Sequence, residues 1–226
     1  MIPLRDDNPT RSTPVVNVAL IALCVIVFLW ELMLPQGEAE RAVYLLGFIP
    51  AVFFGRADLA QHWVAPELSI VTSMFMHGGW MHLLGNMLYL WIFGDNIEKV
   101  MGAGRFLVFY LVCGLAASFA HIAFGGGSTV PAVGASGAIS GVLGAYLVLF
   151  PRNQVRVLTR GGIMSVPAIV VLGFWILIQM ISGLGSLTAT SETAGGGVAY
   201  MAHIGGFVAG LVLAKIMTGW RERAIA

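Results

Sequence analysis

The stretch PAVGASGAISGVLGAY, residues 131–146, decides how the rest of the chain is interpreted. It is apolar enough to lie in a membrane, yet it places a hydroxyl group, that of Ser136, between glycines. One interpretation is close helix packing, since the Gly137-x-x-x-Gly141 spacing is typical of membrane helices that touch. The other is that Ser136 is a nucleophile, with the glycines allowing tight turns and close approach of the backbone beside it.

The composition of the whole chain indicates a membrane protein. Of its 226 residues, 58% are hydrophobic and only 10% are charged, whereas soluble domains carry about a quarter charged residues. The formal net charge of +1 gives no sign of nucleic-acid binding. Cys24 and Cys113 both lie inside apolar runs, so a disulfide framework or a cysteine-rich metal site is not expected.

Six apolar segments are candidates for membrane-spanning helices, each of which needs about 20 residues to cross the hydrocarbon. They lie near residues 15–34, 79–97, 104–124, 136–150, 164–184 and 199–218. The fold class predicted from them is an all-α integral membrane bundle of six transmembrane helices, in a single domain of residues 1–226. The first loop, residues 35–78, carries apolar side chains among its charges, so we expect it to be partly embedded in the membrane interface.

The distribution of positive charge predicts the orientation of these spans. Six spans place both termini on one side of the membrane, together with the loop between spans 2 and 3 and the loop between spans 4 and 5. That side carries ten of the twelve Lys and Arg residues: Arg5, Arg11, Lys99, Arg105, Arg152, Arg156, Arg160, Lys215, Arg221 and Arg223. Because positive residues concentrate on the cytoplasmic side, both termini are predicted to be cytoplasmic, and spans 2, 4 and 6 begin at the outer surface.

The fourth span is shorter than the membrane is thick. A helix from Ser136 to Pro151 has about 15 residues and a length of roughly 22 Å, against about 30 Å of hydrocarbon. The preceding glycine-rich segment must therefore enter the membrane as irregular backbone, which survives there only inside protein or beside a watery cavity. Ser136 is thus predicted at the floor of an outward-opening pocket, at a helix N-terminus whose free N–H groups suit an oxyanion. Gly134 and Gly137 would permit the turns beside it.

A histidine at the start of the sixth span is the predicted partner of Ser136. The sixth span starts at the same side of the membrane as the fourth, so His203 and Ser136 lie at similar depth. The Gly206-x-x-x-Gly210 spacing would let the sixth span approach the glycines of the fourth span closely. A neutral imidazole there could accept the serine proton as a general base and return it to a leaving amine. The alternative is a histidine that only hydrogen-bonds to another helix.

Two polar side chains on the second span are candidates for binding an oxyanion. His82 and Asn86 are one helical turn apart on the same face, level with Ser136, and would add side-chain donors to its backbone N–H. The alternative is a polar contact between helices. A metal site formed by His77, His82 and His203 is disfavoured, since H-E-x-x-H is absent and no carboxylate lies at this depth. Because no carboxylate lies at this depth, the acid of a Ser-His-Asp triad is also missing. A serine hydrolase here would therefore use a Ser-His dyad.

Taken together, these motifs resemble the rhomboid family of intramembrane serine proteases. The resemblance rests on G-x-S-G at Gly134–Gly137 in the fourth span, on H-x-x-G-x-x-x-G from His203 in the sixth, and on H-x-x-x-N from His82 in the second. It covers roughly residues 15–218. It implies an endopeptidase that hydrolyses peptide bonds in, or just outside, the membrane-spanning helices of other proteins.

The resemblance also assigns roles to residues. It implies that Ser136 is the nucleophile and that His203 is the general base and acid. His82, Asn86 and the backbone around Ser136 and Gly137 would form the oxyanion hole. No metal, nucleotide or organic cofactor is implied, and the partners would be membrane-protein substrates and the lipid bilayer.

The fifth span would be the lateral gate through which substrate enters, with Phe174, Trp175 and Gln179 facing the entry route. One departure from the family is in the first loop, where the common Trp-Arg pair has no counterpart, since Arg56 and Trp63 are not adjacent.

A non-catalytic membrane protein is the alternative function, either a client-binding pseudoprotease or a transporter. A broken helix is also typical of transporter binding sites, but the sequence shows neither repeat symmetry nor charges at mid-membrane depth. Cytoplasmic termini and the lack of a transit peptide favour a bacterial inner membrane. The natural substrate and the oligomeric state are left open.

Overall fold

The computed structural model describes residues 1–8, 13–35, 37–57, 63–125, 127–188 and 199–225, and these are mostly helical. The helices are α1 Val15–Met33, α2 Glu38–Leu46, α3 Pro50–Phe53, α4 Pro66–Thr72, α5 Trp80–Met101, α6 Ala103–Gly125, α7 Ser136–Leu149, α8 Ala168–Thr188 and α9 Tyr200–Ile225. A 3₁₀ turn, Ser73–Phe75, follows α4. The strands are β1 Ile2–Asp6, β2 Gln154–Thr159 and β3 Gly162–Pro167.

Helix α7 is the centre of the bundle. Every residue from Ala138 to Tyr146 is buried, because small side chains allow α5, α6 and α9 to pack around it. The helix begins at Ser136, as the sequence predicts, and ends at Leu149. Its 14 residues extend about 21 Å, so the short helix predicted from Ser136 onwards is confirmed.

Helices α7 and α9 run parallel, and their backbones touch through glycines. A Cβ added to Gly206 would overlap the carbonyl oxygen of Gly137, and one added to Gly210 would overlap the carbonyl oxygen of Gly141. One added to Gly144 would overlap the carbonyl oxygen of Phe207. The two glycine faces thus lie in direct contact, which fixes the axial register of the two helices.

Four of the described helices are long and apolar enough to cross a membrane: α1, α6, α8 and α9. Helix α7 is apolar but shorter. Helix α5 has 22 residues and is not among the four, since it carries several polar and charged side chains, including Asn86 and Glu98. Six crossings therefore remain a prediction.

The fold is mostly helical rather than all-α as expected, because one end of the bundle carries a three-stranded antiparallel sheet in the order β1-β2-β3. Its cause is a period-2 pattern in β2: Val155 and Val157 are buried, whereas Arg156 and Leu158 are exposed. The predicted fifth span, residues 164–184, is also wrong at its start. Residues 164–167 belong to β3, and α8 begins after them.

The N-terminal strand is attached to the bundle by buried polar contacts. The Asp6 carboxylate accepts hydrogen bonds from the hydroxyl of Tyr146 at 2.5 Å and from Nδ2 of Asn96 at 2.9 Å. Burial raises the pKa of Asp6. Nearby, Glu98 accepts the backbone N–H groups of Val16 and Asn17 at 3.1 and 2.7 Å, which satisfies free donors at the start of α1.

The first loop supports the segment that leads into α7. Phe48 and Ala132 exchange two backbone hydrogen bonds, of 3.1 and 2.8 Å, and the N–H of Ala51 donates to the carbonyl of Ser128 at 3.0 Å. Phe48 and Ala51 are buried. The irregular backbone before Ser136 is thus held by protein contacts, as its predicted position requires.

Candidate active site

The parallel packing of α7 and α9 brings Ser136 and His203 together. Ser136 is the first residue of α7, and His203 lies in the first turn of α9. The Oγ atom of Ser136 is 2.8 Å from Nε2 of His203. A serine hydroxyl at this distance donates to an unprotonated Nε2, which is the arrangement that a nucleophile and its general base require. The structure therefore brings the two residues of the predicted pair into contact.

Gly134 lies in the turn that precedes α7. Its φ of +123° lies in a region that suits glycine. Its N–H donates to the carbonyl of Ser73 at 2.8 Å. An added Cβ would come within 2.6 Å of Nε2 of His82, so the missing side chain is what lets this imidazole approach the turn.

His82 and Asn86 present donors to the same cavity as Ser136. Nδ1 of His82 accepts the N–H of Gly78 at 3.4 Å, so the neutral ring carries its proton on Nε2. Asn86 is buried, and its Nδ2 has no hydrogen-bond partner among the residues that the structure describes. Buried donors usually have acceptors, and an anionic oxygen next to Ser136 would supply one.

An open cavity of about 530 Å³ connects these groups. Its volume falls in the range of sites that bind small molecules or side chains, about 300–1,000 Å³. Residues of α5, α7, α8 and α9 line it. The lining includes Met81, Tyr89, Ile139, Leu143, Trp175 and Ala199. The cavity can therefore take both water and an extended apolar chain beside Ser136.

His77 supports His82, a role that the sequence analysis missed. It precedes α5, outside the membrane-spanning helices, and its ring packs edge-on against that of His82 with 5.2 Å between centroids. Burial, and secondarily the proximity of His82, lowers the pKa of His77 to about 4. The ring is therefore neutral near pH 7, and its Nδ1–H donates to the carbonyl of Phe75 at 3.2 Å.

A second, smaller cavity also adjoins Ser136. Its volume is about 50 Å³, and Ser73, Ser118 and His121 contribute polar groups to its wall. Nothing in the sequence pattern had singled out His121. Within the described ranges, no three His, Cys, Asp or Glu side chains lie close enough together to hold a metal ion.

Two residues that the resemblance assigned to a lateral gate contact His203 directly. Oε1 of Gln179 is 2.7 Å from Nδ1 of His203, and the Trp175 ring lies 5.9 Å from the imidazole, centroid to centroid. Phe174 is instead 49% exposed on the outside of α8. The sequence signal for Gln179 was an amide in an otherwise apolar span, where polar groups usually have a function.

The fold and this site define a mostly helical membrane protein with a serine and a histidine paired in an open cavity. Residues 65–220 match the Rhomboid domain. The chain belongs to the rhomboid family, and it is an integral membrane protein. The division of residues 1–226 as a single domain remains a prediction.

Named relatives agree with this family. The chain is 36% identical over 149 residues to "Rhomboid protease GluP" of Bacillus subtilis, an alignment that covers 66% of this chain and 25% of the relative. It is 28% identical over 240 residues to "Rhomboid protein 1, mitochondrial" of Saccharomyces cerevisiae, covering 94% of this chain and 64% of the relative. It is 32% identical over 158 residues to "RHOMBOID-like protein 6, mitochondrial" of Arabidopsis thaliana, an alignment that covers 68% of this chain and 46% of the relative. The chain thus spans between a quarter and about two thirds of the length of these relatives.

Proposed function

We propose that this protein is an intramembrane serine endopeptidase that cleaves peptide bonds in, or just outside, the membrane-spanning segments of other proteins. The observation that carries the proposal is the 2.8 Å contact between Oγ of Ser136 and Nε2 of His203 inside an open cavity. Membership of the rhomboid family and the relative named a rhomboid protease support it. No step of the proposed reaction calls for a metal or an organic cofactor.

The first half of the reaction is acylation of Ser136. Its Oγ attacks the peptide carbonyl carbon while Nε2 of His203 takes the hydroxyl proton. The carbonyl oxygen becomes an oxyanion, which accepts hydrogen bonds from the side chains of His82 and Asn86 and from the N–H groups at the start of α7. When the C–N bond breaks, His203 donates the proton to the leaving amine, and an acyl-enzyme remains on Ser136.

The second half is hydrolysis of the acyl-enzyme. A water molecule in the cavity attacks the ester carbonyl while His203 accepts one of its protons. Collapse of the second oxyanion breaks the C–Oγ bond, and His203 returns the proton to Oγ of Ser136. The product leaves as a carboxylic acid, and the free dyad is restored.

The proposed substrates are helices that unwind readily. A peptide carbonyl inside an α-helix is hydrogen-bonded and shielded, so a segment must open before Ser136 can attack it. Small or helix-destabilising residues near the outer end of a span lower the cost of opening. The cavity lies between α5 and α8, which supports entry of substrate alongside α8, the proposed lateral gate.

The test is cleavage by the purified protein in detergent or in bilayers, using a panel of single-pass membrane proteins, with labelling by a fluorophosphonate measured in parallel. We expect cleavage near the outer end of a span and labelling that disappears in Ser136→Ala and in His203→Ala. A folded protein that neither cleaves nor takes the label would instead be a client-binding pseudoprotease or a transporter.

Loss of the proposed oxyanion donor gives a second prediction. In Asn86→Ala, kcat should fall by about 10²- to 10³-fold with little change in KM, because the lost hydrogen bond acts on charge that develops in the transition state. Leu84→Ala, on the exposed side of the same helix, should retain full activity. A change confined to KM would show that Asn86 binds the ground state and the transition state equally, and would contradict its role as an oxyanion donor.

We further propose six crossings, with both termini in the cytoplasm of a bacterium, and α5 and α7 as the two additional spans. The pairing of β1 with β2 supports this, since it joins the N-terminus and the segment after α7 at one end of the bundle. An even number of membrane crossings between β1 and β2 places both strands on the same side of the membrane. The excess of Lys and Arg on the same side supports a cytoplasmic location. Two relatives have mitochondrial names, which makes a mitochondrial membrane the alternative.

Cysteine labelling in intact bacteria tests this orientation. A membrane-impermeant maleimide should label Glu40→Cys, in the first loop, and should label Gly161→Cys, in the turn between β2 and β3, only after the cells are opened. Both positions are exposed, and the native Cys24 and Cys113 are buried. Labelling of Gly161→Cys in intact cells would reverse the proposed orientation.

A further inference from the structure

The second ring nitrogen of His203 is also hydrogen-bonded. Its Nδ1 is 2.7 Å from Oε1 of Gln179, whose side chain is 9% exposed. We propose that Gln179 is a positioning residue that completes the dyad, by fixing the tautomer and the orientation of the His203 ring. This inference rests on the proposed function, because it describes how the general base of that reaction is prepared.

The chemistry of the amide determines which nitrogen of His203 carries the proton. An amide oxygen only accepts hydrogen bonds, so a ring nitrogen that contacts Oε1 must donate its N–H. Nδ1 of His203 is therefore protonated, and the neutral ring has its lone pair on Nε2, towards the hydroxyl of Ser136. The other tautomer would face that hydroxyl with an N–H, which cannot accept a proton. Gln179 thus selects the form of the ring that is competent as a base.

A buried amide performs this task differently from the carboxylate of a serine-protease triad. The carboxylate both orients the histidine and stabilises the imidazolium that forms, and its replacement by an amide that holds the histidine in the wrong tautomer costs about 10⁴-fold in kcat. Gln179 adds no charge to the site, so its effect is confined to orientation and tautomer. A neutral partner also avoids the cost of placing an ionised group at membrane depth.

Trp175 holds the same ring from a second direction. It lies one helical turn before Gln179, so both side chains project from one face of α8. Its ring is 5.9 Å from that of His203, with 37° between their planes, and 6.2 Å from the ring of Phe207. Gln179 therefore fixes the imidazole at its edge, and Trp175 covers its face.

Both supports of the base come from α8, whereas Ser136 and His203 belong to α7 and α9. The remaining surface of α8 is largely exposed and apolar, as expected of a face that contacts lipid. The exposed side chains include Ile169, Val170, Phe174, Leu177, Ile178 and Ile181. It follows that α8 has to be seated against α9 for His203 to be ready as a base.

Gln179→Met tests the proposal, because methionine keeps an unbranched side chain of similar length but lacks the amide acceptor. We expect kcat to fall by about 10- to 100-fold, the range that follows when a buried donor loses its acceptor, with KM changed less than about threefold. The rate of fluorophosphonate labelling should fall by the same factor as kcat. Gln179→Glu retains an acceptor oxygen and should recover most of the labelling rate. Ile181→Met, on the exposed side of α8, is the matched control and should resemble the wild type.

Nitrogen NMR of the histidine rings provides a readout that a purely structural role would not move. In the wild type, the ring of His203 should show a protonated Nδ1 and a bare Nε2, and in Gln179→Met it should show a mixture of tautomers. A protonated Nε2 in the wild type would overturn the proposal, as would unchanged tautomer and labelling in Gln179→Met. If Gln179→Met fails to fold, the wild-type spectrum still shows which ring nitrogen of His203 carries the proton, and a protonated Nε2 there overturns the proposal. The spectrum needs no activity, so a protein that cleaves nothing would refute the proposed function without deciding the state of this ring.

Discussion

Ser136→Ala should lower the rate of substrate cleavage by at least about 10⁴-fold, because the substitution removes the atom that attacks the peptide carbonyl. Removing a nucleophile from a serine protease leaves only what substrate binding and the oxyanion hole contribute. His203→Ala should cause a similar loss. Since the two residues act as a unit, the double variant should be no slower than either single one. Cleavage of a reconstituted single-pass substrate, followed by gel densitometry, measures these rates.

Folding should survive this substitution. Among the residues that the structure describes, the side chain of Ser136 hydrogen-bonds to His203 alone, and alanine is a good helix former. The thermal unfolding midpoint of Ser136→Ala should therefore stay within a few degrees of the wild type. Full activity in well-folded Ser136→Ala would remove the serine mechanism altogether.

Gly210→Ala should have the second largest effect. A Cβ at this position would overlap the backbone of Gly141, and backbone atoms cannot rotate away as a flexible side chain can. Helices α7 and α9 would have to separate, at a cost of about 1–3 kcal/mol or more. A displacement of about 1 Å in a catalytic group costs about 10²-fold in rate. We therefore expect a lower unfolding midpoint together with a loss of activity of about that size.

Gly173→Ala is the matched control for this prediction. Gly173 lies inside α8, and an added Cβ there meets nothing within 4 Å. The substitution should stabilise the helix by up to about 1 kcal/mol and leave cleavage unchanged. If Gly210→Ala behaved like Gly173→Ala in thermal unfolding and in activity, the contact between α7 and α9 would not be as close as described.

The central part of the site could be predicted because short motifs carry its geometry. Glycines spaced four residues apart let α7 and α9 approach closely, and that contact determines where Ser136 and His203 lie. The short length of α7 follows from Pro151, which marks the end of the apolar segment. His82 and Asn86 were placed beside Ser136 by span direction and helical spacing alone. In each case the information is local in the sequence.

The remaining features depend on contacts that the sequence does not encode locally. The contact of Gln179 with His203 requires a particular rotation of α8 about its axis, which an almost uniformly apolar helix does not reveal. The sheet was missed because residues 154–167 combine charges with apolar residues, and in a membrane protein that mixture suggested a loop and the start of a span. The alternation of Val155 and Val157 with exposed neighbours was the available signal.

The pairing of β1 with β2 sets an order for the biosynthesis of this protein. The first strand ends at Asp6, whereas its partner begins at Gln154. At about 5–20 residues per second, the ribosome needs roughly 7 to 30 s to supply that partner. Until then, the strand lacks its partner on the nascent chain, and the Tyr146 hydroxyl that donates to Asp6 is made only shortly before. The β1 segment therefore becomes ordered late, after α1, α5, α6 and α7 have been synthesised, although it precedes all of them in the chain.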